Sequence, residues 1–435
     1  MPDNKTENQA HVVAIDMGYG HQRATYPLQS IAYRHEIINA DNYLDIPPKD
    51  KKIWQDSRKF YEYISRFKNV PVIGNLVFKT YDHYQRVGGF YPRRNQSRPT
   101  LQLLGTLSLI AKKHWGEHFI SSLQPNNLPL VTSFFVPAYM AEEFNYPGDI
   151  YLLICDTDVA RAWVAKDPKK SRIKYLAPCE RVVERLKQYG VRSDHIFLTG
   201  FPLPKENLGN QDLDVLKKDL LNRLANLDPE RVYYKKFQKT INKELGELPT
   251  KADHPLTLAF AVGGAGAQKE LGLKIISSLK SEILDKKIQV NLIAGTHSDI
   301  ADYYRTAIEE LNMLPELDKG IKIICGEDKT KYFKIFNENL RTTDILWTKP
   351  SELSFYCGLG LPLIMSEPIG SQEDSNRRWI FSVGSGTDQE DVRYTNEWLF
   401  DLIKSGWLAE AALQGYFDAP RLGTYNIEKV IFGEK

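Results

Sequence analysis

The chain has 435 residues, of which 42% are hydrophobic and 26% are charged, a composition typical of a soluble globular protein. Its length exceeds what one hydrophobic core usually serves, so we expect two domains. The formal net charge of +2 is too small to indicate a nucleic-acid partner.

Targeting and redox signals favour a reduced, cytoplasmic protein. The four cysteines are far apart and form no C-x-x-C pair, so neither a zinc site nor a disulfide framework is indicated. The N-terminal segment MPDNKTENQA is polar and lacks the pattern of a secretory signal. The longest apolar stretch, near Leu101 to Ala111, is too short to span a bilayer.

The first half alternates strand-length apolar runs with helical patterns, which is typical of a parallel α/β sheet. A helix is predicted from about Gly20, and another from Pro178 to Tyr189 that ends at Gly190, a residue suited to a left-handed helix stop. We expect residues 1–204 to form a Rossmann-like domain. Its strands are predicted at 11–16, 129–136, 149–155, 171–176 and 195–200.

Residues 205–254 are charged and show no strand signal, and we predict two helices there that bridge the domains. The alternation resumes in residues 255–435, which are predicted to form a second Rossmann-like domain. Its strands are predicted at 255–262, 288–295, 320–326, 344–349 and 362–366. The predicted fold class is therefore α/β, with two Rossmann-like domains and a helical bridge.

A glycine-rich loop follows the first strand of each half. In the second half, Val262 to Gln268 contains Gly263, Gly264, Ala265 and Gly266 between a strand and a helix. Such a loop lets the backbone approach a diphosphate at a helix N-terminus, although an ordinary tight turn is the alternative. It is not the spaced dinucleotide fingerprint.

In the first half, Gly18, Tyr19 and Gly20 precede His21 after the opening strand. We expect the two glycine loops to face one cleft. An imidazole at a helix start should stay neutral and could accept a proton. The alternative is a polar capping residue.

Polar residues also follow two successive strands of the second half, at the strand ends where open α/β sheets bind ligands. A solvated loop is the alternative, but the glycine, proline and amide content favours a sugar site. The candidate residues are Thr348, Lys349, Pro350, Ser351, Glu352, Gln372, Glu373 and Asn376.

Together these segments resemble a glycosyltransferase family that contains monogalactosyldiacylglycerol synthase, processive diacylglycerol glucosyltransferases and the peptidoglycan lipid-intermediate N-acetylglucosaminyltransferase. Its G-x-G-H loop matches 18–21, its phosphate loop matches 263–266 and its T-K-P segment matches 348–350. Gln372, Glu373 and Asn376 match its G-Q-E-x-x-N segment. The stretches 156–163, 190–191 and 199–202 resemble further elements of the family. The likeness spans most of the chain except roughly 45–125 and 205–250.

The resemblance implies the GT-B fold, two facing Rossmann domains, with the acceptor on the N-terminal domain and the nucleotide sugar mainly on the C-terminal one. It implies an inverting, metal-independent hexosyltransferase with His21 as base and Gly263 to Gly266 holding the leaving diphosphate. A UDP-sugar donor and a lipid acceptor are favoured, and no cofactor is expected. A nucleotide-sugar epimerase and a non-catalytic nucleotide-sugar or lipid-binding protein are the alternatives.

Three positions depart from the family pattern. Ser351 and Glu352 replace paired glycines, Cys357 replaces the glutamate that grips the ribose, and Arg161 replaces a histidine before Trp163. Glu352 could supply the missing carboxylate from one turn earlier. These departures bear on the donor and the acceptor more than on the fold.

Two further patterns have alternative interpretations. Asp156-Thr157-Asp158 imitates the D-x-D metal motif of another glycosyltransferase fold, although a structural strand end is favoured and no metal is predicted. Residues 86–116 contain no acidic residue, several arginines and lysines, and interleaved aromatic and apolar residues. This stretch is typical of a segment that contacts the inner face of an anionic membrane. The alternative is a buried helix flanked by solvated arginines.

Overall fold

The computed structural model describes residues 8–67, 87–261, 268–368 and 371–433. The chain divides into two compact units. Unit 1 contains residues 1–202, 370–375 and 422–435, and unit 2 contains residues 203–369 and 376–421. The predicted bridge, 205–254, thus groups with unit 2, and the C-terminal residues group with unit 1.

Unit 1 is built on a six-stranded parallel sheet of order β2-β1-β3-β4-β5-β6. β1, β3 and β4 are buried along their whole length, so they form the centre of the core. The strands are β1 (Ala10–Ala14), β2 (Ala32–Asn39), β3 (Leu130–Thr132), β4 (Ile150–Leu153), β5 (Ile173–Ala177) and β6 (Ile196–Leu198).

The helices of unit 1 cover this sheet. The predicted stop of one helix is confirmed, because Gly190 has a φ of +88° just after the helix ends. These helices are α1 (Tyr19–Thr25), α2 (Pro48–Phe67), α3 (Leu101–Lys113), α4 (Glu117–Leu123), α5 (Phe135–Glu143) and α6 (Glu180–Gln188).

The predicted strand at 129–136 is wrong in its second half. The backbone N–H of Ser133 makes the last bond to β1, at Val13, and α5 begins two residues later at Phe135. Pro137 lies in the first turn of α5, where its missing N–H costs nothing. The apolar run therefore contains a short strand followed by a buried helix, which periodicity alone does not separate.

Unit 2 is built on a second parallel sheet, of order β12-β11-β10-β7-β8-β9. This is the Rossmann order, in which the first strand of the unit is central and the chain then builds outward on each side. The strands are β7 (Thr257–Ala261), β8 (Gln289–Gly295), β9 (Ile321–Cys325), β10 (Ile345–Thr348), β11 (Leu363–Met365) and β12 (Gly386–Asp388). The prediction of two Rossmann-like sheets is confirmed.

The helices of unit 2 include three within the predicted bridge. One of these, α8, is tied to the sheet by the fully buried Arg223, whose guanidinium donates to the carbonyls of Thr343 and Leu359. The helices of unit 2 are α7 (Lys205–Leu208), α8 (Asp214–Leu227), α9 (Val232–Glu244), α10 (Lys269–Ser278), α11 (Lys280–Leu284), α12 (Ser298–Glu310), α13 (Lys329–Leu340), α14 (Ser371–Val383), α15 (Thr395–Lys404) and α16 (Trp407–Asp418). Residues 371–375 of α14 group with unit 1. A last helix, α17 (Gly423–Phe432), belongs to unit 1.

Candidate functional site

The candidate site of unit 1 lies where the strand order reverses. β1 is followed in sequence by β2 on one side and pairs with β3 on the other, so the carboxyl ends of β1 and β3 flank a crevice. The turn after β1 needs Gly18, whose φ is +92°, and α1 then begins at Tyr19. His21 therefore lies in the first turn of α1, at this edge of the sheet.

His21 is held by the strand next to its own. Its Nδ1 atom lies 2.8 Å from the carbonyl oxygen of Ser133, just past the end of β3. Because a carbonyl oxygen only accepts, Nδ1 must carry the proton. In the neutral ring this leaves the lone pair on Nε2, the nitrogen that can act as a base.

Aromatic rings and a thiol surround the imidazole. The Trp163 ring stacks on it at a centroid distance of 5.8 Å, and the Phe134 ring meets it edge-on at 5.0 Å. The Cys155 sulfur lies 3.8 Å from Nδ1. The structure thus brings together two sequence-predicted elements, the G-x-G-H loop and the segment that ends at Trp163.

Sequence reasoning missed an acidic pair beside this loop. Both carboxylate oxygens of Asp41 accept from the backbone N–H of Asp16 at 3.0 Å, and burial raises the pKa of Asp41. The Asp16 carboxylate in turn lies 3.9 Å from a guanidinium nitrogen of Arg58. Asp41 follows β2, a strand that the sequence pattern did not reveal, so no signal pointed to it.

Asp158, the second aspartate of the sequence that resembles a D-x-D metal motif, has a structural role. The Asp158 side chain is 2% exposed, and it accepts two bonds from Arg185 at 2.7 and 2.9 Å and one from Arg181 at 2.9 Å. A carboxylate engaged in this way serves to fasten α6 to the segment after β4. Within the described residues, no group of three or more histidine, cysteine or acidic side chains is arranged to hold a metal ion.

Arg161, which replaces the family histidine, is also structural. Its buried guanidinium donates to the carbonyls of Ser97 and Ala165, at 2.7 and 3.1 Å, and to that of Val164. Burial lowers the pKa of Arg161. The side chain ties the segment before α3 to the loop after Trp163.

The candidate site of unit 2 lies at the equivalent reversal of its sheet. β7 pairs with β8 on one side and β10 on the other, so ligand-binding residues are expected at the carboxyl ends of β7 and β10. The loop predicted to bind phosphate, with Gly263, Gly264, Ala265 and Gly266, follows β7 in the sequence and lies outside the described residues.

The T-K-P segment follows β10 at the same edge. Thr348 is the last residue of β10 and is buried, Lys349 is partly exposed, and Pro350 is buried. The Asn376 side chain, buried in α14, donates to the Pro350 carbonyl at 3.4 Å. The structure thus joins two of the sequence-predicted segments through Asn376.

The remaining residues predicted to bind the sugar are partly exposed. Ser351 and Glu352 lie in unit 2, where a 3-10 helix, Glu352–Leu359, begins. Gln372 and Glu373 lie in the first turn of α14, in the part of that helix that groups with unit 1. Cys357 lies inside the 3-10 helix and is fully buried, which raises its pKa to about 12. It therefore offers no anionic group for a ribose.

Gln268 and Gly272, which both follow the glycine loop, make close contacts beside the site. Gln268 has a left-handed φ of +71°, and its side chain accepts from the Ser366 hydroxyl at 2.8 Å, just past β11. Gly272 lies where α10 crosses β7, because an added Cβ would be 3.1 Å from Phe260 and 2.8 Å from the Tyr304 hydroxyl. A glycine in the helix after such a loop was the available signal for this close packing.

The sequence comparisons identify one similar family. A model described as a domain of unknown function (DUF6938) matches residues 248–319 and 312–426, which is most of unit 2. No curated protein sequence matches the chain. Within the described residues, no helix is long and apolar enough to cross a bilayer.

Several solved structures are similar to the chain at low identity. A UDP-GlcNAc 2-epimerase from Neisseria meningitidis with bound UDP-GlcNAc is 11% identical, with 83% of this chain and 88% of that one covered and a TM-score of 0.44. MurG from Acinetobacter baumannii is 11% identical, with the same coverage and a TM-score of 0.42. MnaA from S. aureus with UDP is 11% identical, with 82% and 85% covered and a TM-score of 0.43. At this level of similarity, none of them identifies an activity for this chain.

Proposed function

We propose that this protein transfers a hexose from a nucleoside-diphosphate sugar to an acceptor hydroxyl, with His21 as the base. The observation that carries the proposal is the tautomer of His21, whose Nδ1 proton is directed to the Ser133 carbonyl 2.8 Å away. In its neutral form, an imidazole fixed in this way at the carboxyl edge of an α/β sheet suits proton abstraction. A UDP sugar and a lipid acceptor are favoured by the resemblance described above.

In the proposed step, the acceptor oxygen attacks the anomeric carbon while its proton passes to Nε2 of His21. The bond from that carbon to the diphosphate oxygen breaks, and the nucleoside diphosphate leaves with the electron pair. Attack opposite the leaving group inverts the anomeric carbon. General-base assistance of this kind contributes roughly 10²–10⁴-fold in rate.

We propose that unit 2 holds the donor. Lys349 would place a cation at the carboxyl end of β10, and Asn376 supports the backbone of Pro350 there. The sequence places the loop of Gly263 to Gly266 directly after β7, the neighbouring strand. Preorganised backbone donors can stabilise a leaving diphosphate by several kcal/mol without a metal.

The nucleoside requires a group other than Cys357. That thiol is buried and uncharged at neutral pH, since its pKa is raised to about 12 by burial. Glu352 is partly exposed at the start of the same 3-10 helix, and we propose it as the carboxylate that meets the ribose, together with Ser351.

A non-catalytic sugar-nucleotide-binding protein is the second candidate. The observation in its favour is that two family positions have no ligand-binding role here, because Cys357 is buried and Arg161 is bound to backbone carbonyls. An epimerase acting on the donor is the third candidate that the same site could serve.

One experiment separates these candidates. The protein is titrated calorimetrically with a panel of nucleoside diphosphates, and the best sugar donor is then incubated with and without an acceptor panel, with and without EDTA. Glycoside formation that survives EDTA supports the proposal, an epimer formed from donor alone supports the epimerase, and binding without any product supports the binding protein.

Two variants locate the donor. Gly264→Val and Lys349→Ala should each weaken diphosphate binding at least tenfold, whereas Gly105→Ala, on the exposed side of α3, should not change it. Unchanged binding in both donor-site variants would contradict the proposed location.

A further inference from the structure

The outward side of α3 is apolar. Leu103 and Ile110 are buried where α3 packs on α5, whereas Leu101, Leu104 and Leu109 on other sides are 71%, 38% and 40% exposed. A helix on the surface of a water-soluble domain usually presents polar residues to solvent. Three solvent-exposed leucines on one short helix therefore require an explanation.

The segment before α3 extends this surface. Tyr91 is 72% exposed, and its ring packs edge-on against the buried Phe90 at 5.0 Å. The amphipathic tyrosine ring suits a boundary between water and an apolar phase. The exposed tyrosine and leucines share one stretch of unit 1.

Cations accompany these apolar side chains. Arg94 and Arg98 precede α3, Lys112 and Lys113 end it, and all four are exposed. Among the ion pairs of the described residues, none involves any of these four. The Lys49 ammonium also donates to the Lys113 carbonyl, which adds another positive charge at this end of the helix.

The nearby carboxylates cancel only part of this charge. Glu117 lies 3.1 Å from a ring nitrogen of His114, and Asp50 is buried and accepts from the Gly116 N–H at 3.1 Å. Glu184 pairs with Arg93 at 3.1 Å and with Lys187 at 2.8 Å. The surface is therefore both apolar and positively charged.

We infer that this surface binds an anionic lipid membrane. We name it the α3 surface and define it by Tyr91, Arg94, Arg98, Leu101, Leu104, Leu109 and Lys112. The leucines and the tyrosine would enter the boundary between headgroups and acyl chains, and the cations would meet headgroup phosphates. The charge favours a bilayer over a neutral protein partner. Binding of this kind needs no donor, so it is independent of the proposed transferase activity.

The α3 surface is close to the candidate base of unit 1. α3 packs against the 3-10 helix Arg161–Trp163, and Trp163 stacks on His21. A membrane held at the α3 surface would therefore place lipid hydroxyls on the side of unit 1 that carries His21.

Vesicle co-sedimentation tests the inference with the full chain. Phosphatidylcholine vesicles with and without phosphatidylglycerol are compared at low and high salt. We expect binding to the anionic vesicles that weakens with salt, because exposed charges are screened. Equal binding to both kinds of vesicle, or no binding to the anionic ones, would overturn the inference.

Two triple variants identify the surface. Leu101→Gln/Leu104→Gln/Leu109→Gln and Arg94→Gln/Arg98→Gln/Lys112→Gln should each reduce the bound fraction, roughly tenfold or more for the charge variant. Leu284→Gln/Leu314→Gln, at leucines of unit 2 that are 48% and 43% exposed, is the matched control and should bind like the parent.

Two further measurements test whether the variants fold and whether the surface is instead a protein interface. If the leucine variant does not fold by circular dichroism, the single variant Leu101→Gln replaces it, since a side chain 71% exposed does not support the core. If gel filtration shows that the parent self-associates and the leucine variant is monomeric, with no vesicle binding by the parent, the surface is a protein interface and the inference is wrong.

Discussion

The Nδ1 atom of His21 lies 2.8 Å from the carbonyl oxygen of Ser133, and this bond joins the residues that follow β1 and β3. The two strands are neighbours in the sheet, yet more than a hundred residues separate them in the chain. The contact therefore depends on the sheet order. It fixes the orientation of the imidazole and places a proton on Nδ1.

If His21 is the base, His21→Ala should lower the transfer rate by roughly 10²–10⁴-fold. The affinity for the nucleoside diphosphate should stay the same, because the residues proposed to hold the diphosphate, Lys349 and the loop of Gly263 to Gly266, belong to unit 2. Steady-state kinetics and calorimetry measure the two effects. His114→Ala, at an exposed histidine of the same unit, is the control. A rate within twofold of the parent would remove His21 from the mechanism.

Much of the fold follows from the sequence because buried parallel strands are continuous apolar runs. Ten of the strands were predicted in this way, but β2 and β12 were not. β2 is an edge strand, and its sequence AYRHEIIN exposes charged residues, while β12 is the short polar segment Gly386–Asp388. Missing β2 also meant missing Asp41, whose position depends on that strand.

The candidate site was predictable only where a local motif carries it. The glycine loops and the T-K-P segment are recognisable from the sequence because each is a short local motif. The structure places 18–21 and 348–350 at the two strand-order reversals. The roles of Asp158 and Arg161 were not predictable, because each depends on partners distant in sequence, such as Arg185 and Ser97. Side-chain chemistry alone does not distinguish a ligand-binding carboxylate from a buried ion pair.

Asp158→Asn should destabilise unit 1 by roughly 3–5 kcal/mol, because it leaves the buried Arg185 guanidinium without its counter-charge. Arg185 is 1% exposed, so water does not replace the carboxylate. Urea unfolding followed by fluorescence measures the loss. Asp167→Asn breaks an exposed pair with Lys170 and should cost less than about 1 kcal/mol.

The same variant also tests the metal interpretation. Asp158→Asn should leave the response of any activity to added Mn²⁺ or EDTA unchanged, since the carboxylate is already bound by arginines. A loss of Mn²⁺ binding in the variant, with unfolding unchanged, would contradict the structural role of Asp158.

Gly272→Val should destabilise unit 2 by roughly 1–3 kcal/mol through overpacking. The new Cβ would lie 3.1 Å from Phe260 and 2.8 Å from the Tyr304 hydroxyl, and both of these side chains are buried. Gly105→Ala is the matched helical control: an added Cβ there meets nothing within 4 Å, and we expect a gain of about 0.5–1 kcal/mol. Thermal unfolding of both variants measures the difference, and equal transitions would contradict the close packing of α10 on β7.

The stability of unit 2 should depend on the charge of His254. Its Nδ1 lies 2.7 Å from an Asp253 carboxylate oxygen and its Nε2 lies 3.1 Å from one of Asp344. When both carboxylates are ionised they can only accept, so both ring nitrogens then carry protons and the ring is positive. Burial by itself lowers the pKa of His254, but the bonds and charges of Asp344 and Asp253 outweigh it and raise the pKa above 6.5.

A histidine whose pKa is raised in the folded state binds its proton more tightly there than in the unfolded chain. The resulting stabilisation is complete below about pH 6.5 and is lost as the pH rises through the folded-state pKa. The thermal transition of unit 2 should therefore decrease as the pH rises above about 6.5, and His254→Gln should remove this decrease. Asp253→Asn, at a carboxylate that is 58% exposed, should only reduce it. A parent transition that is constant over this range, or equally pH-dependent in His254→Gln, would show that the ring is neutral and that Asp344 is compensated by other groups.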